Sequence, residues 1–94
     1  MLKFEARNVG ELLGVVWHHA GSDGDVQAIA RYHVGPNHIS SQGTPGINYS
    51  FYVERDGTVF WCHDLTVSTW SQGRGVSPFP GALPNTHFMA LCFQ

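Results

Sequence analysis

The chain has 94 residues, 43% of them hydrophobic and 13% aromatic, with a formal net charge of -2 when histidine is neutral. That is apolar material for one small core and at most one domain. Only five Lys and Arg occur, scattered along the chain, which argues against a nucleic-acid footprint or a polybasic membrane patch, and no apolar run reaches transmembrane length.

Residues 1–12 fit a strand or a short helix equally well, and the start at Met1 lacks the basic-then-apolar design of a signal peptide. Gly14 to His19 reads as a buried strand, since Val15, Val16 and Trp17 form a continuous apolar run. AGSDGD follows as a turn in which Asp23 or Asp25 can cap a helix. Val26, Ile29, Ala30 and His33 recur at helical spacing, so a helix is predicted from about 25 to 34. GPNHISSQGTPG is a long loop. INYSFYVERDGTVFWCHDL is a hairpin turning at Asp56-Gly57, with Tyr49, Phe51 and Val53 on one face and Val59, Trp61 and His63 on one face of its partner. A second Gly-, Pro- and Ser-rich loop follows, and LPNTHFMALCFQ reads as a last strand with Phe88, Ala90 and Cys92 opposite Met89, Leu91 and Phe93. The order β-α-β-β-β predicts a mixed α/β fold, one mixed sheet with a helix against it. The last strand is apolar on both faces and so calls for cover on both. With none following Gln94, the chain reads as truncated after a core strand, marginally stable and prone to associate through the exposed apolar face and uncovered sheet edge.

The histidines carry the chemistry in question. Successive strand residues point to opposite faces, so His18 and His19 cannot easily serve one metal together. A zinc site needs three protein ligands if catalytic and four if structural. The other candidates (His33, His38, His63, His87, Cys62, Cys92) form no tight ligand spacing. His18 is either a ligand or a hydrogen-bonded strand-end histidine. Tyr49 is either core or a hydroxyl able to stabilise an oxyanion. His33, on the apolar helix face, reads as a packed, hydrogen-bonded core histidine, and Trp17 and Trp61 read as core. His63 either lines a cleft or is exposed. Trp70, in a loop, is a binding wall or a sheet-edge cap, and Arg74 is a solvated charge or a contact for an anionic group. Two cysteines are too few for a disulfide framework.

Four stretches, in order, resemble the amidase-2 group of N-acetylmuramoyl-L-alanine amidases, which includes the peptidoglycan recognition proteins and amidase-type phage lysozymes. VVWHHAG is similar to the group's apolar strand ending in His-His or His-Cys. AIARYHV is similar to its helix ending in a Trp/Tyr-His pair. INYSFYVERDGTV is similar to its Tyr-His-Phe strand and Asp-Gly hairpin, and NTHFMALCFQ to the strand after an Asn-containing loop. Together they span nearly the whole of residues 1–94, read as a single partial domain of this type.

The resemblance implies an amidase-like mixed sheet with packed helices, zinc as cofactor, and cleavage of the amide between N-acetylmuramic acid and L-alanine at the cell wall. It makes His18 a zinc ligand and Tyr49 the catalytic-site tyrosine, with His19, Trp70 and Arg74 as substrate contacts. Two departures stand out. Ser50 replaces the histidine that commonly follows the tyrosine, and Trp70 stands where many members have a histidine lining the cleft. The group's second and third zinc ligands, a His and then a Cys or Asp, match no residue of this chain. His87 and Cys92 fall inside the matching strand and point to opposite faces. The alternative is a non-catalytic peptidoglycan-binding module that keeps the cleft of Trp70, Arg74 and the 35–46 loop without metal. A His-His nuclease is disfavoured by the acidic balance.

Overall fold

In the computed structural model, which describes residues 2–72 and 81–94, a mixed α/β chain builds two small sheets and two helices among the described residues. In chain order these are Glu5–Ala6 (β1), Gly14–His19 (β2), Val26–Val34 (α1), Phe51–Val53 (β3), Val59–Trp61 (β4), Val67–Ser68 (β5), Pro84–His87 (α2) and Phe88–Phe93 (β6). The main sheet runs β2-β6-β3-β4. β6 is parallel to both neighbours, and β3 and β4 form an antiparallel hairpin. The last strand is therefore internal, and the edges fall on β2 and β4.

Local chemistry explains most boundaries. Asp25 caps α1 by accepting from the Ala28 N–H at 2.8 Å, while Asp23 pairs instead with Arg55. Gly57 takes a φ of +90° in the hairpin turn, and the Asp56 carboxylate accepts from the Thr58 N–H at 2.9 Å. The residues before Phe88, predicted as strand, form one helical turn, because Pro84 starts it without needing an N–H partner. Val67–Ser68, predicted as loop, pairs with β1. Arg7 joins the two halves. Its buried guanidinium donates to the carbonyls of Leu65, Asn85, Thr86 and Phe88.

The core lies on one side of the sheet, between it and α1. Ile29, Ile47, Tyr52 and Cys92 form its centre, with Val26, Ala30, Tyr49 and Phe60 packed around them. The Tyr52 hydroxyl donates to the Gly24 carbonyl at 2.7 Å, pinning the sheet to the turn before α1. The opposite side of the sheet has no layer over it among the described residues. Trp17 and Trp61, expected in the core, are largely exposed there. Both point away from α1, the helix that covers the other side of the sheet among the described residues.

Alternation fails at Tyr49. It was expected to share a face with Phe51 and Val53, yet it packs on the core beside Tyr52, with ring centroids 6.3 Å apart. The chain bends at Asn48 and Ser50, so Tyr49 lies outside the alternation of the strand, and a β-bulge sits opposite Ser50. The N–H groups of both Cys62 and His63 approach the Ser50 carbonyl, at 2.9 and 3.4 Å, so two residues oppose one. β3 begins only at Phe51, and Tyr49 turns toward α1. The same bulge takes His63 off the face of Val59 and Trp61, and its ring packs edge-on against Phe4.

Candidate functional site

The end of β2 sets His18 on the core side of the sheet and His19 on the other, as period-two alternation requires. The His18 ring lies 5.4 Å from the Tyr49 ring, and its Nε2 is within 3.2 Å of the Gln72 Oε1. Gln72 is held in turn by its Nε2, which donates to the Phe88 carbonyl at 2.9 Å, and by its N–H, which donates to the Asn85 Oδ1 at 2.9 Å.

From Tyr49 the rings continue into a pocket. The Tyr49 and His33 rings are 5.2 Å apart, and His33 stacks on His38 at 4.8 Å with planes 13° apart. The pocket encloses about 200 Å³ and is lined by Ala20, Ile29, Tyr32, His33, His38, Asn48, Tyr49 and Ser71. The loop after α1 is folded back to make it. The His33 carbonyl accepts from the Thr44 N–H and hydroxyl, and its Nδ1 accepts from the Asn48 N–H. Loop entry and loop exit are thus tied to one residue.

The electrostatics follow from burial. Desolvation, aided by neighbouring His38, lowers the His33 pKa from 6.5 to about 4, so its ring is neutral at neutral pH. Burial first, and then Cys92, raises the Tyr49 pKa well above that of a free phenol. Tyr49 therefore stays protonated and able to donate. Burial also raises the Cys92 thiol, which lies beside it in the core.

Of the residues singled out in the sequence, His18 and Tyr49 come together. His19 is exposed on the opposite face, where its Nδ1 accepts from the Gly21 N–H at 3.2 Å. Trp70 packs edge-on against Phe4, 5.7 Å between centroids, and does not line the pocket. Arg74 lies outside the described residues. His63 is within 2.6 Å of the Ile47 carbonyl through Nε2, and His87 accepts from the Leu83 N–H at 2.7 Å. His33 is buried and hydrogen-bonded as its helix face implied, but it also forms a wall of the pocket. Asn48, Ser71 and Gln72 carried no signal of their own, because loop closure alone brings them to the site.

The described residues do not fit a zinc centre. No three of His, Cys, Asp and Glu among them converge to hold a metal ion, and His18 alone is one ligand where a catalytic zinc takes three. The site is a polar-aromatic pocket walled by the His33 and His38 imidazoles and the Tyr32 and Tyr49 phenols, with the His18 imidazole beside it. A scan against protein-family models, a search of curated proteins and a search of solved structures find no match.

Proposed function

We propose that this domain engages peptidoglycan at the amide joining the lactyl group of N-acetylmuramic acid to L-alanine. One observation carries the reading. His18 and Tyr49, which the motif resemblance assigns to metal binding and catalysis, are 31 positions apart in the sequence, yet their rings lie 5.4 Å apart beside the pocket. Nothing in a strand end and a post-loop tyrosine requires that meeting.

The chemistry available to the chain's own residues is limited and specific. Tyr49, kept protonated by burial, can donate a hydrogen bond to the amide carbonyl oxygen and to the oxyanion formed when that carbonyl is attacked. The stacked imidazoles and Tyr32 offer flat faces for sugar and peptide, and exclude water from one side of the amide. Hydrolysis with zinc, as the resemblance implies, calls on ligands besides His18. The lack of a ligand trio among the described residues favours a second reading, a glycopeptide-binding module without catalysis.

Calorimetric titration with N-acetylmuramoyl-L-alanyl-D-isoglutamine, run with zinc and with chelator, tests both. Binding that Tyr49→Phe and His38→Ala weaken supports the site. Release of free L-alanyl peptide only with zinc supports the amidase. Binding without release supports the module. No binding in either condition overturns the proposal.

A further inference from the structure

The sheet face turned away from α1 is a continuous apolar surface built by all four strands. Strand register places Trp17, Leu91, Phe51 and Trp61 in one row across the sheet, and His19, Phe93, Val53 and Val59 in the next. Val15 and Met89 extend it toward the start of β2. These ten positions include no Asp, Glu, Lys or Arg. Besides His19, five of them are well exposed and apolar, namely Trp17 at 74%, Trp61 at 68%, Val59 at 59%, Val15 at 47% and Phe93 at 38%.

We propose that this face is the contact of a twofold dimer, occupied by a second copy of the chain. The area suits it. At about 150–250 Å² per aromatic side chain, Trp17, Trp61 and Phe93 alone present roughly 270–450 Å² at these exposures. Val59, Val15 and the half-buried neighbours extend the face toward the about 800 Å² per partner of a stable interface. The charge pattern suits it as well. A twofold axis sets a patch against itself, so any net charge would oppose its own copy, and this patch has no acidic or basic side chain of fixed charge. The relief is also self-complementary. Trp17 packs on Phe93, 5.9 Å between centroids, and Phe51 stacks on Trp61 at 6.3 Å, making two aromatic ridges with the lower Leu91 between them. A ridge of one copy can sit in the trough of the other, as in face-to-face sheet packing.

Sedimentation equilibrium on the full chain, across a hundredfold concentration range, tests the proposal. A monomer–dimer equilibrium is expected, with tryptophan emission shifting to the red on dilution as Trp17 and Trp61 become exposed. Trp17→Glu and, as a milder change on an edge strand, Val59→Lys each place a charge against its own copy. Each should weaken association at least 100-fold while circular dichroism stays that of the parent. Ile39→Asn, an exposed apolar residue in the loop after α1, should leave it unchanged. A parent that stays monomeric throughout, an open-ended ladder of larger species, or a dimer indifferent to both charged variants in folded form would overturn the proposal.

Discussion

His33 accepts a hydrogen bond through Nδ1 from the backbone N–H of Asn48, at 2.9 Å. This places the proton of the neutral ring on Nε2. It also couples helix to loop through a lone pair that exists only while the ring is unprotonated at Nδ1.

A pH dependence follows. The folded-state pKa of His33, about 4, lies below its ordinary 6.5. Between those values the unfolded chain binds a proton that the native state refuses. The contribution of His33 to stability is therefore complete above about pH 6.5 and is lost as pH falls toward 4, on the order of 3 kcal/mol in all. Urea unfolding at pH 7.5 and 4.5 should show a larger loss for the parent than for His33→Gln. Equal losses would remove His33 as the cause.

Arg7 is the second expected weak point. Its buried guanidinium serves four carbonyls in two stretches far from it in sequence, at Leu65 and across Asn85 to Phe88. Arg7→Met should lower unfolding free energy by roughly 2–4 kcal/mol, because buried acceptors lose their donor. Arg7→Lys should recover little, since an ammonium lacks the planar fork. Denaturant midpoints of the two variants decide it.

Gly43 has a φ of +78°, and a Cβ there would lie 2.4 Å from the Gly35 carbonyl oxygen and 2.5 Å from that of Val34. Gly43→Ala should cost more than about 2 kcal/mol and loosen the pocket loop, because both strain and backbone overlap act. Gly57→Asn is the contrast. Its φ is also positive, but nothing lies within 4 Å, and Asn tolerates that conformation, so a change within about 1 kcal/mol is expected. Thermal melts of the pair separate overlap from strain.

Tyr49→Phe removes one half-buried hydroxyl and leaves the ring packed on the core. Stability should change by no more than about 1.5 kcal/mol. If zinc-dependent cleavage is found, the variant should slow it by roughly ten- to a thousand-fold, the range for losing one oxyanion donor. Full activity in the variant would return Tyr49 to the core.

The elements with a strong local signal were legible in the sequence. The apolar run of Gly14–His19 is a strand with those bounds, the helical spacing from Val26 to His33 is α1, and Asp56-Gly57 turns the hairpin. Their physics is short-range, being periodicity, a cap and a left-handed glycine. The short pairing of β1 with β5 has no such signal, since two residues show no period and their stability comes from Arg7 and its distant carbonyls.

What the sequence by itself determined is the mixed α/β class, the opposition of His18 and His19, and the apolar character of both faces of the last strand. Tertiary structure decided the rest. It put β6 between β2 and β3, so that the apolar strand became internal and the bare surface became a whole sheet face. It bent the chain at Asn48 and Ser50, which takes Tyr49 out of the strand's alternation and brings that ring to His18 and His33, and it placed a bulge opposite Ser50 that turns His63 away. Bulges and strand order depend on which backbone groups meet across the chain, and residue spacing along it does not encode those meetings.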